Sequence, residues 1–178
     1  MPRRLWFVAT LAVAAVGLTA CSSSPSATPA TASTTPATAV PTGPIAPATN
    51  PSPAGTFGIK PAVTVPTGSP PTQLQSTDLI TGTGPAVKAG DSVTVQYVGV
   101  QWSNGQQFDA SWNDGPGQPV SFSLNQVIPG WSRGMVDMKV GGRRELVIPP
   151  SLAYGAAGQP PVGPNATLIF IVDLYKIN

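Results

Sequence analysis

The chain contains no histidine and a single cysteine among its 178 residues. Catalysis by a Ser/His/Asp or Cys/His set is therefore excluded, and so is a zinc site of the usual His/Cys kind. One cysteine cannot close an internal disulfide, so the cysteine count says nothing about the compartment. We expect neither a metal site nor a cofactor.

The amino terminus predicts an export signal. Met1–Arg4 is a short positive leader, and Leu5–Leu18 is an apolar run without a charge. This run is shorter than the roughly 20 residues of a transmembrane helix. Leu18-Thr19-Ala20-Cys21 then resembles a bacterial lipobox, which implies a lipoprotein signal peptide over residues 1–20 and lipidation of Cys21. The alternative is an ordinary secretory signal with an incidental cysteine. Lipid anchoring through two or more acyl chains implies a cell-membrane protein that faces the outside of the cytoplasm.

Charge does not suggest a nucleic-acid partner. Loss of the signal removes Arg3 and Arg4 from the nine Lys and Arg residues, which leaves seven against seven Asp and Glu. Residues 22–57 consist mainly of Pro, Ala, Thr and Ser and carry no charge. Such a segment has little to bury and cannot offset its ordering entropy. We therefore expect a disordered tether over residues 21–57 and a folded domain over residues 58–178.

Strand patterns dominate the predicted domain. The clearest is Ser92–Val100, which alternates polar and apolar residues with period two, and Asn104-Gly105 is a hairpin signal after it. Further strands are predicted at Gln73–Ile80, around Phe108-Asp109, and at Val120–Leu124, Arg143–Ile148 and Ala166–Ile177. Charged residues 143–145 are interpreted as a solvated strand face.

One short helix is predicted after Gln126–Ile128. Pro129 suits a first helical turn, and Trp131, Met135 and Met138 form an apolar stripe that Gly141 and Gly142 end. Trp131 could face the core or a neighbouring concavity. The fold class is therefore α+β, with a twisted antiparallel sheet wrapped around one short helix.

Seven motifs in register carry a resemblance over the whole domain. They are Tyr97-Val98-Gly99, Asn104-Gly105 before Phe108-Asp109, Gln126–Trp131, Met138–Gly141, Ile148-Pro149-Pro150, Ala153-Tyr154-Gly155 and Asn165–Leu168. In this order they resemble the FKBP-type peptidyl-prolyl cis-trans isomerases. The resemblance implies an FKBP-like fold with the active pocket between sheet and helix.

The resemblance also implies roles for individual residues. Trp131 would form the pocket floor, the Ile128 N–H and the Tyr154 hydroxyl would donate hydrogen bonds to the substrate, and Asp109 would lie at the pocket edge. The apolar walls and rim would be formed by Tyr97, Phe108, Val120, Val127, Phe170, Ala153 and Val162. Val120 stands where the family often has a second Phe, and Gln159 where it often has His.

The implied function is rotation of X-Pro bonds in exported polypeptides, which needs no covalent intermediate. The resemblance also implies possible binding of macrolide inhibitors, and we expect a monomer. The alternative is a non-catalytic module that uses the same cleft to bind Pro-containing segments or a partner protein, which the departures at Val120 and Gln159 favour.

Overall fold

The computed structural model describes residue 45, residues 51–112 and residues 117–178. The predicted signal peptide, Cys21 and most of the predicted tether lie outside these ranges. The described elements, in chain order, are β1 Gln75–Ile80, β2 Ser92–Gln101, β3 Gln107–Ala110, β4 Val120–Ser123, α1 Pro129–Gly134, β5 Arg143–Ile148, a short 3-10 helix at Pro150–Leu152, and β6 Leu168–Ile177. None of the described helices is long and apolar enough to cross a membrane.

The strands form one antiparallel sheet in the order β1-β5-β6-β2-β3, with β4 beside the first half of β2. Its centre is the long pair β2 and β6, in which Val93 lies opposite Ile177 and Gln101 opposite Leu168. The predicted α+β class and its antiparallel sheet around a short helix are confirmed.

Period-two alternation divides the sheet into two faces. The helix face carries Tyr97, Leu146, Phe170 and Val172, which belong to the main buried cluster together with Trp131 of α1. The outer face carries two smaller clusters, around Val98 and Ile171 and around Val100, Val147 and Ile169. Because both faces are covered, β2, β5 and β6 are buried along most of their length.

Helix α1 is shorter than predicted. It ends at Gly134, so Met135 and Met138 lie beyond it, although both are fully buried. The chain leaves the helix because Asp137 adopts a left-handed conformation (φ 63°) and residues 137 and 138 form backbone hydrogen bonds with Val87. The apolar spacing of Trp131, Met135 and Met138 therefore indicates that these residues are buried, but it does not indicate the length of the helix.

Residues 51–65, here called the strap, cover the outer face. The Ser52 N–H donates to Glu145 Oε2 over 2.9 Å, and the Gly58 N–H donates to Asp173 Oδ2 over 2.7 Å. Val63 and Val65 pack on the outer-face clusters. Residues 51–57, placed in the tether by the sequence analysis, thus contact the folded domain.

The interpretation of residues 143–145 as a solvated face is wrong. Arg143 is fully buried and forms an ion pair with Asp173, which is also fully buried. Its remaining guanidinium donors reach the strap carbonyls of Ala54 and Ile59 over 2.9 and 2.8 Å. Glu145 is 2% exposed under Ser52. Charges on this strand are buried because the strap and the neighbouring strands satisfy their hydrogen bonds.

Candidate active site

An apolar pocket opens on the helix face of the sheet. It is open to solvent on one side, and its lining comprises Tyr97, Phe122, Val127, Ile128, Trp131 and Phe170. Apart from the phenol of Tyr97 and the indole N–H of Trp131, the lining side chains are purely apolar. A pocket of this kind binds an apolar group and removes its water.

Trp131 lies at the centre of an aromatic cage. Its ring centroid is 5.5 Å from that of Tyr97, 5.8 Å from that of Phe122 and 5.4 Å from that of Phe170, with interplanar angles of 89°, 74° and 88°. These are edge-to-face arrangements, which aromatic rings prefer to face-to-face stacking. The indole is 4% exposed, so the cage holds it in one orientation.

Helix α1 brings Trp131 to this position through two close approaches to β5. Pro129 begins the helix. Gly130 packs against Ile148, and a Cβ added at Gly134 would lie 2.6 Å from Leu146, so neither position accommodates a side chain without a shift. The two glycines set how closely the pocket floor approaches the sheet.

The far wall depends on Gly99 of β2. Gly99 lies opposite Phe170 in the β2–β6 register. A Cβ at this position would lie 2.7 Å from both Phe108 and Phe170. Because Gly99 has no side chain, these two rings meet edge to face with centroids 5.4 Å apart. Phe108 therefore supports Phe170 from behind.

A polar pair lies beside the apolar lining. The Tyr97 hydroxyl donates to Asp109 Oδ2 over 2.6 Å. Burial raises the pKa of Asp109, while the hydrogen bonds from Tyr97 and from the Ala110 N–H oppose that shift. The Asp109 carboxylate thus accepts two hydrogen bonds in a position that is partly shielded from water.

The phenols of Tyr97 and Tyr154 stay protonated at neutral pH. Burial raises the pKa of Tyr97 well above its ordinary 10.0, and the Asp109 charge and hydrogen bond add to the shift. Burial, and then the Asp109 charge, likewise raises the pKa of Tyr154. Both hydroxyls are therefore hydrogen-bond donors in a cluster with one carboxylate.

The structure brings most of the predicted site residues together. Tyr97, Val127, Ile128, Trp131 and Phe170 line the pocket. Ala153 and Tyr154 are partly buried against the same apolar cluster, of which Val162 is a buried member. Residues 51–112 and 117–178 contain no group of three or more Asp, Glu, His or Cys side chains that could hold a metal ion.

The structure places Phe122, rather than the expected Val120, in the pocket lining. Val120 was predicted to contact substrate, but it is 38% exposed at the start of β4 and is not among the lining residues. Phe122, two residues along the strand, lines the pocket 5.8 Å from the rings of both Tyr97 and Trp131. The alternation in Val120–Leu124 places both residues on one strand face, and this signal was available in the sequence.

Comparison with protein families identifies the family to which this pocket belongs. The model of the FKBP-type peptidyl-prolyl cis-trans isomerase family matches residues 84–175, which include every lining residue of the pocket. The chain belongs to this family. It is therefore a peptidyl-prolyl cis-trans isomerase, and the enzyme class expected from the sequence is confirmed.

Individual relatives support the FKBP assignment. The chain is 51% identical over 122 residues to an FK506-binding protein of Streptomyces anulatus, covering 66% of this chain and 97% of that protein. It is 45% identical over 117 residues to a probable FK506-binding protein of Corynebacterium glutamicum, covering 66% of this chain and 98% of that protein.

A solved structure shares the fold of this FKBP domain. The crystal structure of FkpA from Escherichia coli matches with a TM-score of 0.56 and 45% identity. The match covers 60% of this chain and 49% of FkpA, so the chain spans about half of that protein.

Proposed function

We propose that this FKBP domain accelerates X-Pro rotation in exported polypeptides by removing water from the prolyl amide and stabilising its twisted form. The observation that carries the proposal is the apolar pocket over Trp131, with the Tyr97–Asp109 pair at its edge. The prolyl ring would rest on the indole, between the walls formed by Phe122, Val127 and Phe170.

The apolar lining supports catalysis without a nucleophile. A planar X-Pro amide is stabilised by resonance, and its rotation barrier is about 18–20 kcal/mol. The planar form has the larger dipole, so a pocket that excludes water disfavours it more than the twisted form. A thousandfold acceleration needs only about 4 kcal/mol. Differential desolvation and one or two directed hydrogen bonds can supply that amount.

We assign two hydrogen-bond donors to the substrate carbonyls. Ile128 is the residue before the first helical turn of α1, where a helix leaves N–H groups without an intrahelical acceptor. The raised pKa of Tyr154 keeps its hydroxyl protonated. In this proposal the Ile128 N–H binds a carbonyl in the pocket, and Tyr154 donates from the loop above it. Asp109 fixes the Tyr97 phenol and places negative charge beside the rotating amide.

Export and membrane attachment are proposed from the sequence alone. The leader, the apolar run and Cys21 support lipidation of the mature amino terminus. The clients are then unfolded polypeptides outside the cytoplasm, and the reaction suits that location because it requires no nucleotide or cofactor. The names of the FK506-binding relatives support macrolide binding in the same pocket. We propose that the domain acts as a monomer.

A proline-limited refolding assay tests the proposed activity. The mature chain without its lipid, residues 22–178, should accelerate the slow phase of a client whose refolding waits on X-Pro isomerisation. Tyr154→Phe should reduce kcat/KM about tenfold, which corresponds to one lost directed donor of about 1.4 kcal/mol. A folded protein that binds Pro-containing peptides but leaves the slow phase unchanged would instead support the binding-module alternative.

A further inference from the structure

A buried arginine outside the pocket holds the helix that forms the pocket floor. Arg144 of β5 is 7% exposed and faces the helix side of the sheet. Its Nη1 donates to the carbonyl oxygens of Gly134 and Val136, each over 2.8 Å. These carbonyls lie at and just beyond the end of α1, where a helix leaves acceptors unsatisfied.

The guanidinium is itself held from the opposite side. Arg144 Nε donates to Asp78 Oδ1 over 2.6 Å, and Nη2 donates to Asp78 Oδ2 over 3.1 Å. Asp78 lies directly opposite Arg144 in the β1–β5 register. A planar guanidinium bound through two nitrogens to a carboxylate has a fixed orientation. Its direction toward α1 is therefore set by the sheet.

Helix α1 is short and weakly capped. It is six residues long, its first turn contains no acidic residue, and Ile128 provides no side-chain cap. Ser132 Oγ donates to the Leu124 carbonyl ahead of the helix, and Ser76 Oγ of β1 donates to the Gly134 carbonyl over a long 3.4 Å. The contacts of Gly130 and Gly134 with β5 fix the distance between helix and sheet. Steric contact of this kind does not define how far a short helix slides along the strand. The two hydrogen bonds from Arg144 Nη1, each 2.8 Å long, are the shorter and better directed contacts between the sheet and the end of the helix.

We propose that Arg144, oriented by Asp78, is a positioning residue that sets helix α1, and with it Trp131 and the Ile128 N–H, for the isomerase reaction. The inference rests on the proposed function of the pocket. The floor contacts the prolyl ring throughout the reaction, whereas a directed N–H gains strength as the amide twists. A small displacement of α1 should therefore affect kcat more than KM.

The test uses three variants and a charge-matched control in the mature chain, residues 22–178. Arg144→Met keeps most of the side-chain volume but removes the donors, Arg144→Lys keeps the charge without the fork, and Asp78→Asn removes the charge that orients Arg144. Lys176→Met is the control because it removes one positive charge from an exposed position on β6. We expect kcat to fall about tenfold in Arg144→Met and KM to change less. A loss of this size corresponds to a sub-ångström displacement of helix α1. Arg144→Lys and Asp78→Asn should lie between Arg144→Met and wild type.

A second readout separates positioning from stability. The indole N–H resonance of Trp131 should shift in Arg144→Met and in Asp78→Asn, but not in Lys176→Met. In a Trp131→Phe background, the further effect of Arg144→Met on kcat should shrink, because coupled residues are not additive. Folded variants with wild-type kcat and an unmoved indole resonance would overturn the proposal. If Arg144→Met does not fold, Asp78→Asn decides alone. An inactive wild type would reject the proposed function instead.

Discussion

The phenol of Tyr97 donates a hydrogen bond to Asp109 over 2.6 Å and so joins strand β2 to strand β3 at the pocket edge. The same residue forms part of the apolar lining through its ring, which lies edge-on to Trp131. One residue therefore links the carboxylate to the pocket floor.

Removing the Tyr97 hydroxyl should impair catalysis without emptying the pocket. Tyr97→Phe keeps the ring and leaves Asp109 without its side-chain donor, so the pKa of Asp109 should rise further. We expect kcat/KM to fall roughly fivefold, or about 1 kcal/mol. Steady-state kinetics on an X-Pro peptide measure the change. Tyr175→Phe is the control, since it removes a phenol from the outer face. Equal losses in both variants would argue against a local role.

The raised pKa of Asp109 predicts opposite pH dependence of activity and stability. Activity should fall as the pH drops through that pKa, because the carboxylate becomes protonated. Stability should change in the opposite direction, because the native state binds this proton more tightly than the unfolded chain does. As the pH falls from the raised pKa of Asp109 toward the ordinary value of 3.8, the contribution of Asp109 to the free energy of unfolding should therefore increase.

Two variants separate these pH effects. Asp109→Asn should flatten the acidic limb of the activity profile. Glu145→Gln should leave that limb intact while changing the pH dependence of stability, since burial also raises the pKa of Glu145. Activity profiles and denaturant unfolding across the acidic range supply the data. An unchanged acidic limb in Asp109→Asn would contradict the assignment.

The positions of Phe122 and Val120 predict unequal effects of truncation. Phe122→Ala opens the pocket wall and should weaken substrate binding, and the macrolide binding proposed above, about tenfold, or 1.4 kcal/mol. Val120→Ala alters an exposed side chain and should change affinity and stability by less than about 0.5 kcal/mol. Calorimetric titration with FK506 compares the two variants directly. A larger effect at Val120 would show that the pocket wall is misassigned.

The strap contacts predict where a stable domain begins. A chain of residues 51–178 keeps the bonds of Ser52 to Glu145 and of Ala54 to Arg143, whereas a chain of residues 58–178 loses both. Each buried polar group left without its partner costs about 1–3 kcal/mol. Chemical unfolding should therefore show the shorter chain to be less stable by several kcal/mol. Equal unfolding free energies would mean that the strap contributes little.

The sequence predicted the sheet well because its signals are local. Alternation in Ser92–Val100 indicates a strand regardless of its partners, and this strand is observed with one further residue. The end of α1 could not be predicted in the same way, because it is set by pairing of Asp137 and Met138 with Val87, about fifty residues earlier in the chain.

Buried polar residues were also beyond local patterns. Arg143 and Arg144 read as a solvated pair, and only the fold brings Asp173 and Asp78 to them. For the pocket, the resemblance identified most of the lining but placed the contact at Val120. Phe122 lies on the same strand face as Val120 and has the larger side chain. In the folded domain it is Phe122 that packs against Trp131.

The most direct test of the central claim is the cis–trans exchange rate of an X-Pro peptide, measured by exchange NMR with wild type and Trp131→Ala. In the proposed mechanism, loss of the indole removes the pocket floor against which the prolyl amide is desolvated. We predict that wild type accelerates exchange, and that folded Trp131→Ala loses at least about tenfold of that acceleration, or 1.4 kcal/mol. Equal acceleration by the two proteins would contradict the account.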